Sequence, residues 1–235
     1  MDAPCWFETR HDGEAVLPTH RHGRGYAALV IDGQHLEACV DGAFECTPGT
    51  LLLHPAYHAH GNRFGRRGAR VINMPLPDGV APDGLRAWRV PHLDEARAMF
   101  QREPCSLAAL LAQAMPCTPV ELPDWQPALL QALADSELPI GALCRQLGVS
   151  LAHASRALAR SHGMSPQLLR RELRWRRALS LLHGEGELSD IALRCGFSDQ
   201  SHFTRVTRRY AGLPPAALRQ QIKSVQDAPA AAAVC

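Results

Sequence analysis

The stretch DIALRCGFSDQSHFTRVTRRYAGLPPAALR (190–219) decides the fold of the second half of this 235-residue chain. Gly196 separates two segments of helical pattern, and the hydrophobic Phe197 follows it directly. Because a small residue lets two helices meet at a sharp angle, Gly196 predicts a tight turn between them. Either Ser198 or Asp199 is then expected to provide the N-cap of the second helix.

These residues predict a helix-turn-helix unit at 187–212. Its first helix is expected to begin after an N-cap provided by Ser189. The second helix has an apolar face that contains Phe203, Val206 and Tyr210. Its other face presents polar and basic side chains: Gln200, Ser201, Thr204, Arg205, Arg208 and Arg209. In DNA-binding proteins of this type the second helix enters the major groove, and its exposed polar residues reach base edges.

A similar unit precedes it in PIGALCRQLGVSLAHASRALARSHG (139–163). Gly148 again ends the first helix, a hydrophobe follows, and Ser150 is expected to cap the second helix. That second helix carries Arg156 and Arg160, which would face the DNA. The two units together predict a module with two recognition helices.

The segment SPQLLRRELRWRRALSLLHG (165–184) joins the two units. Ser165 is expected to cap its helix, with Pro166 at the first helical position. A helix of about 17 residues is roughly 26 Å long. Such a rod could hold two recognition helices about one DNA turn apart, ~34 Å. The alternative is an ordinary helical bundle with solvated arginines; two such units in one basic module favour DNA binding.

The charge of the chain supports this division. The formal net charge is only +2, but residues 1–134 hold 11 Lys+Arg and 15 Asp+Glu, a net of −4. Residues 135–235 hold 14 and 8, a net of +6. An asymmetry of this kind indicates a basic module that meets a polyanion.

The composition excludes several other classes of protein. Hydrophobic residues make up 46% and charged residues 20%, which is typical of a globular chain. No apolar run reaches the ~18–20 residues that span a bilayer, and the first residues lack the pattern of a signal peptide. The eight cysteines form no C-x-x-C pair. We therefore expect a reduced, cytoplasmic protein without a membrane partner.

The region from about residue 137 to residue 221 resembles the DNA-binding domain of the AraC/XylS family of bacterial transcriptional regulators, most specifically in residues 190–219. The resemblance implies sequence-specific binding to promoter DNA, contact with RNA polymerase if the protein is an activator, and a homodimer as one form of assembly. The residues that it implies face DNA, with the basic Arg160 added, are Ala152, Ser155, Arg156, Arg160, Gln200, Ser201, Thr204 and Arg205.

The chain departs from that family's pattern at three positions. Ala154 stands where the family usually has Leu, Thr207 where it usually has Phe, and Leu169 where an aromatic is common. Smaller side chains bury less apolar surface unless neighbours compensate. Because Ala152 and Ser155 are also short, we expect the second unit to carry more of the sequence discrimination.

The first half of the chain has the pattern of short strands followed by helices. Turn residues such as Asp32-Gly33 separate the apolar runs, whose spacing is typical of a β-sandwich or barrel. The predicted strands are 27–31, 35–40, 50–54 and 68–76; the predicted helices are 93–100, 106–115 and 126–135, with a proline-rich connector at 116–125. Strands followed by helices predict an α+β chain of two domains.

The expected boundaries follow from these patterns. They are a cupin-like sensory domain at 1–92, a helical linker or dimerisation region at 93–135, an all-α DNA-binding domain with two helix-turn-helix units at 136–222, and a flexible tail at 223–235.

Histidines are concentrated in the first half, which holds eight of the twelve. His20 and His22 alternate along a predicted strand and so face one side, and His60 lies about forty residues later. The region resembles a small cupin, with Tyr26 near the position of that family's acidic ligand. Imidazoles bind Zn, Cu, Fe or Ni, so His20, His22 and His60, with Tyr26 beside them, are candidates for a divalent metal.

Other interpretations of the histidines remain open. They are also compatible with ordinary hydrogen-bonded residues or with contacts to a polar small-molecule effector. His11, His35 and His92 are expected to be surface histidines.

Three functions are therefore compatible with the sequence. The first is a transcription regulator that senses a small molecule or metal. The second is a histidine-ligated metal enzyme of cupin type with a helical appendage. The third is a DNA-binding protein whose first domain only dimerises. The residues match no nucleophile–base motif, so we expect no enzymatic activity.

Overall fold

The computed structural model describes residues 6–77, 80, 82–102 and 107–227. Cys5, Cys105, Cys235 and the predicted tail beyond residue 227 lie outside the described residues. The chain forms two compact units. The first contains the residues up to Glu121 and the short segment Arg160–Gly163; the second contains Leu122–Ala159 and the chain from Met164 onward. The predicted order of a sheet-rich half followed by a helical half is confirmed.

The first unit is built on an antiparallel sheet. The described residues form eight strands: β1 (Phe7–His11), β2 (Val16–His20), β3 (Tyr26–Cys39), β4 (Gly42–Cys46), β5 (Thr50–His54), β6 (His60–Pro75), β7 (Arg86–Arg89) and β8 (Met115–Cys117). Their order in the sheet is β1-β6-β3-β5-β7-β8, with β2 paired to β6 and β4 paired to β3. The long strands β3 and β6 pair along most of their length and form the centre of the unit.

Two predicted strand boundaries were wrong. The runs 27–31 and 35–40 form one strand, β3, because Asp32-Gly33 is a bulge and not a turn. Gly33 has a φ of +71°, and the register against β6 shifts on either side of it. A bulge bends a strand without ending it. Strand β6 likewise begins at His60, eight residues before the predicted start at residue 68.

The sheet buries both of its faces, as the period of two along each strand allows. Leu29, Leu51 and Ile72 belong to a core cluster that includes residues of the two following helices. Their neighbours on the opposite face, such as Val30 and Leu52, belong to a second cluster within the first unit.

Two helices, α1 (Leu93–Arg102) and α2 (Leu107–Gln113), follow the sheet. Phe100 and Leu107 are both buried in the first of those clusters. The predicted connector at 116–125 is in part wrong, because Met115–Cys117 pairs with β7 as a short edge strand.

The second unit is helical. Its described helices are α3 (Trp125–Asp135), α4 (Ile140–Gln146), α5 (Leu151–Ser161), α6 (Pro166–Leu182), α7 (Leu188–Arg194), α8 (Gln200–Ala211) and α9 (Pro215–Asp227). The pairs α4–α5 and α7–α8 are the two predicted helix-turn-helix units, and α6 is the 17-residue helix predicted between them. In the part of the chain that the structure describes, no helix is long and apolar enough to cross a membrane.

Most of the predicted helix caps are present. The Ser165 hydroxyl accepts a hydrogen bond from the Leu168 N–H at 3.3 Å, and the Ser150 hydroxyl accepts one from the His153 N–H at 3.1 Å. The cap predicted at Ser189 was wrong. Helix α7 begins at Leu188 with Glu187 at its N-cap, so Ser189 lies inside the first turn.

The three positions that depart from the family pattern all lie in the core of the second unit. Ala154, Leu169 and Thr207 have no exposed surface. Thr207 keeps its hydroxyl satisfied there by donating to the Phe203 carbonyl at 2.8 Å. A buried hydroxyl without a partner would be unfavourable, so this hydrogen bond within the helix explains how Thr occupies an apolar position.

Candidate functional site

Helix α8 presents a polar face to solvent. Gln200, Ser201 and Arg205 are exposed, while Phe203 on the opposite side is fully buried. Thr204 is partly buried, and its hydroxyl donates to the Gln200 carbonyl at 2.8 Å. The residues predicted to contact DNA in the second unit therefore lie along one accessible side of the helix.

The start of α8 is determined by its N-cap. Of the two predicted candidates Asp199 is the cap, since its Oδ1 accepts a hydrogen bond from the His202 N–H at 2.6 Å. That hydrogen bond, together with one from the Ser198 hydroxyl, lowers the pKa of the Asp199 carboxyl. A carboxylate is favourable at the positive end of the helix dipole, and the cap places Gln200 in the first turn.

Helix α5 likewise has an exposed side and a buried side, but its side chains are smaller than those of α8. Ala152, Arg156 and Arg160 are exposed, and Ser155 is partly buried. Ala154, one position before Ser155, is fully buried. The residues predicted to face DNA in the first unit thus also lie on its accessible side, although two of them are too short to extend far from the helix.

The first unit contains a cavity of about 420 Å³. Its polar lining has an unusual share of imidazoles, together with one phenol, one carboxylate, two amides, one guanidinium and one threonine hydroxyl. These residues are Thr9, His11, His20, His22, Arg24, Tyr26, His35, Glu37, His54, His60, Asn62 and Asn73. Phe64, Leu52 and Val71 contribute to its apolar wall.

Strand register explains how these residues meet. Tyr26 lies opposite His54 in the pairing of β3 with β5, and Glu37 lies opposite Asn62 in the pairing of β3 with β6. His60 lies at the start of β6. Because side chains two positions apart share a face, the register places all of these groups on the same face of the sheet.

The three histidines predicted as metal ligands are close together. The ring centroids of His20 and His60 are 4.4 Å apart, and those of His22 and His60 are 5.4 Å apart. Each residue offers one ligand atom, and these atoms lie within 4.8 Å of one another. The Tyr26 hydroxyl lies 3.1 Å from His60 Nε2. The expectation that His20 and His22 share a strand was wrong, because β2 ends at His20.

The candidate ligands predicted from the sequence did not include Glu37 or His54. Both side chains are buried, and the distance from Glu37 Oε1 to His54 Nδ1 is 3.3 Å. The amide of Asn62 donates to the other carboxylate oxygen, Glu37 Oε2, at 3.1 Å. The alternating pattern of HLEACV, which puts a charged residue on an inward position of a buried strand, is the signal that would have pointed to Glu37.

The expectation for the remaining histidines was partly wrong. His35 is buried beside Glu37, with Nε2 3.6 Å from Oε2. His11 is half-buried in the cavity wall, and its ring stacks on Phe64 at 4.3 Å. His92 is exposed, as expected.

Burial controls the protonation of the cavity. It lowers the pKa of His54 to about 3 and that of His60 to about 4, so both imidazoles are neutral near pH 7. Burial raises the pKa of the Glu37 carboxyl, but His54, His35 and His60 lower it by more, so Glu37 is a carboxylate. Burial and the Glu37 charge raise the pKa of Tyr26, which stays a phenol. Neutral imidazoles and a carboxylate are the ligands that zinc and similar ions use in proteins.

Comparison with known proteins bears on the helical unit. Residues 143–221 match a family described as a helix-turn-helix domain. The chain is 40% identical over 80 residues to the HTH-type transcriptional activator RhaS of Escherichia coli, a match that covers 34% of this chain and 29% of RhaS. Residues 143–221 are therefore similar to the helix-turn-helix domain of an HTH-type transcriptional activator. The chain spans less than a third of the length of the curated relatives that it matches.

Solved structures give weaker likenesses. ToxT from Vibrio cholerae is 10% identical, with coverage of 92% of this chain and 98% of that chain and a TM-score of 0.44. An AraC-type DNA-binding domain protein from Chromobacterium violaceum is 28% identical, covers 44% of this chain and 89% of that chain, and has a TM-score of 0.38.

Within the helix-turn-helix domain, two arginines of α6 are structural. Arg174 donates to the Gly196 carbonyl at 2.5 Å and to Glu137 at 2.7 Å, and Arg170 donates to the Leu138 carbonyl at 2.8 Å. Gly196 has a φ of +74°, and a Cβ there would lie 2.7 Å from the Arg174 guanidinium carbon. The turn that orients α8 therefore favours glycine for its left-handed backbone, and a side chain there would also displace the Arg174 guanidinium.

Proposed function

We propose that the protein is a sequence-specific, DNA-binding transcription regulator of the AraC type. The observation that carries the proposal is the division of α8 into two sides. Gln200, Ser201 and Arg205 are exposed on one side, and Phe203 and Thr207 are buried on the other. Such a helix can place its exposed polar side chains against base edges in the DNA major groove while its buried face stays packed in the core.

The proposed contacts follow from side-chain chemistry. The Arg205 guanidinium can donate two parallel hydrogen bonds to a guanine, and the Gln200 amide can pair with an adenine. The exposed Arg208 and Arg209 carry charge that neutralises phosphates, which positions the protein without reading sequence.

The first unit contributes fewer base contacts in this proposal. Arg156 and Arg160 are exposed and long enough to reach a base or a phosphate. Ala152 can offer only an apolar contact, such as one to a thymine methyl, and Ser155 is partly buried. The second unit would then supply most of the sequence preference.

The partners of the whole chain belong to the same proposal. They are double-stranded promoter DNA in the cytoplasm, RNA polymerase if the regulator activates, and a second copy of the chain if it dimerises. Helices α1 to α3 fall within the region 93–135 that we propose couples the two units or supports dimerisation. No membrane partner is invoked.

The histidine-lined cavity is the proposed sensing site, for a small molecule or a metal ion that touches His20, His22, Tyr26 or His60. The same donor set favours one alternative function, a metal enzyme of cupin type. That alternative requires turnover of a substrate by the purified, metal-loaded chain. A regulator requires binding to DNA and no turnover.

DNA binding tests the proposal directly. Fluorescence anisotropy of the full chain on labelled DNA from the region upstream of its own gene should show tight binding that weakens steeply as salt rises, because bound arginines release counterions from DNA. Replacing Gln200 and Arg205 together by Ala should abolish the preference for this DNA over an unrelated duplex. The matched control is Arg67→Ala, which removes an exposed arginine of the first unit. Binding that is absent, independent of salt or unchanged in the double variant would contradict the proposal.

A further inference from the structure

The cavity lining contains three buried polar atoms that no hydrogen bond in the described chain satisfies: Glu37 Oε1, His54 Nδ1 and His35 Nδ1. Glu37 Oε1 and His54 Nδ1 are both buried without a hydrogen-bond partner, in residues that are 2% and 1% exposed. Leaving a buried charged acceptor unsatisfied is costly. Native structures rarely do so without a reason such as a bound ion.

The spacing of these atoms matches metal coordination. Zinc ligands from His nitrogen and carboxylate oxygen lie about 2.0–2.2 Å from the ion in a tetrahedral arrangement. Two such ligands on one ion are therefore roughly 3.3–3.5 Å apart. Glu37 Oε1 and His54 Nδ1 are 3.3 Å apart, and their geometry does not make a hydrogen bond.

His60 completes the set. Its Nδ1 lies 3.3 Å from the His58 carbonyl, and an N–H donated there leaves the lone pair of Nε2 for the ion, in exchange for the hydrogen bond of 3.1 Å with the Tyr26 hydroxyl. Metal-binding histidines are commonly oriented by a backbone carbonyl in this way. One ligand atom from each of Glu37, His54 and His60 lies within 4.8 Å of the others. The Tyr26 hydroxyl next to Nε2 is close enough to contact a ligand of the ion.

We propose that Glu37, His54 and His60 bind one divalent transition-metal ion of the zinc type at the inner end of the cavity. The ligand sensed by the first unit would then be a divalent metal ion. This role of the site rests on the proposed function of the protein as a regulator. Metal binding can be measured without DNA, so the two proposals fail separately.

Three other groups among the described residues of the first unit are weaker candidates. His20, His22 and His60 share a ligand with the proposed site, but His22 is exposed and the group contains no carboxylate to balance the charge of the ion. In the group of Cys39, Asp41 and His58, the Asp41 carboxylate already accepts hydrogen bonds from His58 Nε2 and from the Leu85 N–H, each at 2.8 Å. The group of His35, Glu37 and Cys46 shares the buried carboxylate. Its thiol donates to the Phe44 carbonyl at 3.5 Å, and burial raises the pKa of Cys46, which disfavours the thiolate that binds metal.

The test uses the full chain, stripped with a chelator and titrated with Co²⁺ and with Zn²⁺. Wild-type protein should bind one ion per chain, seen in the visible absorption of Co²⁺ and in zinc content after dialysis. Glu37→Gln and His54→Gln should each weaken binding at least tenfold, since each removes a ligand. His92→Gln, which removes an exposed histidine outside the cavity, should leave it unchanged. Melting temperatures without metal show which variants fold.

The results separate the alternatives. Wild-type protein without stoichiometric binding overturns the site, and so does binding that survives in folded Glu37→Gln and His54→Gln. Binding lost in the double variant His20→Gln, His22→Gln but kept in Glu37→Gln assigns the ion to the outer histidines and also overturns it. If neither inner variant folds, X-ray absorption of the zinc-loaded wild type decides: carboxylate with two imidazoles supports the site, and three imidazoles contradict it. DNA binding that persists after any of these failures leaves the proposed function standing.

Discussion

The two helix-turn-helix units have the same backbone spacing but different side chains. Counted from the N-cap, α5 runs from Ser150 to a left-handed glycine at 163, and α8 runs from Asp199 to a left-handed glycine at 212; the spacing is the same. At equal distances from the cap, Arg156 corresponds to Arg205. The same spacing from N-cap to C-terminal glycine therefore occurs twice in the domain.

The side chains at the other corresponding positions differ. Exposed Leu151 stands where α8 has Gln200, and buried Ala154 stands where α8 has Phe203. The comparison indicates that the shared backbone spacing produces a helix that can enter a DNA groove. The exposed side chains of that helix decide how many bases it can discriminate. The backbone spacing of one unit therefore predicts that of the other, but the DNA contacts of one unit do not predict those of the other.

The largest expected effect concerns the buried faces of α8 and α5. Phe203→Ala should reduce the free energy of unfolding by about 3–5 kcal/mol, because it removes a fully buried aromatic ring and leaves a cavity. Ala154→Gly at the corresponding position of α5 should cost only about 1 kcal/mol, mainly through helix propensity. Urea denaturation followed by circular dichroism measures both. Equal losses would show that the two helices share one packing scheme after all.

The next effect concerns base reading. Arg205→Ala should lose about 1–3 kcal/mol of discrimination against substitutions at one base pair, roughly 5- to 150-fold in relative affinity. Arg156→Ala should do the same at a different base pair, since the two arginines hold corresponding positions. Competition binding with a set of single-substitution duplexes measures this. A uniform loss across all duplexes would mean that the arginines contact phosphates only.

A smaller effect is expected at the helix cap. Ser150→Ala should reduce the free energy of unfolding by about 1 kcal/mol, because the N–H of His153 loses its acceptor. Ser150→Asp restores an acceptor and should recover most of that loss. Thermal unfolding of the three proteins gives the values, and a neutral Ser150→Ala variant would argue against Ser150 as the cap.

The smallest effect is expected at the exposed side of α5. Leu151→Ala should change affinity for the preferred duplex by less than about 0.5 kcal/mol, as is usual for surface positions away from a specific contact. Gln200→Ala, at the corresponding position of α8, should lose about 1–3 kcal/mol of discrimination. Anisotropy titrations of the two variants on the preferred duplex and on duplexes with single base-pair substitutions make the comparison. A larger loss at Leu151 would reverse the proposed ranking of the units.

The helical half was largely predictable because its signals are local. Gly148 and Gly196 mark the turns, Ser150 and Ser165 cap helices, and apolar spacing within each segment defines the buried side. The cap at Ser189 failed because α7 begins at Leu188, two residues earlier than the predicted start. Since Ser is a preferred N-cap residue and Glu is not, the local signal favoured Ser189 over Glu187.

The cavity was much less predictable because its residues meet through strand register. Glu37 and His54 belong to different strands, and both lie on one face with His60 only because β3 continues through the bulge at Gly33. A predicted turn at Asp32-Gly33 hid that continuity. The sequence pointed to His20, His22 and His60, which do lie close together, but not to the buried carboxylate beside them.

A binding-site selection tests the central claim, that α8 reads bases through Gln200 and Arg205, most directly. Random duplexes are selected with the full-length wild type and, in parallel, with Arg205→Ala. We expect the wild type to select two blocks of preferred bases about one helical turn apart, roughly 10–10.5 base pairs centre to centre. The variant should lose preference within one block and keep the other. Identical motifs from the two proteins, or no motif from the wild type, would contradict the account.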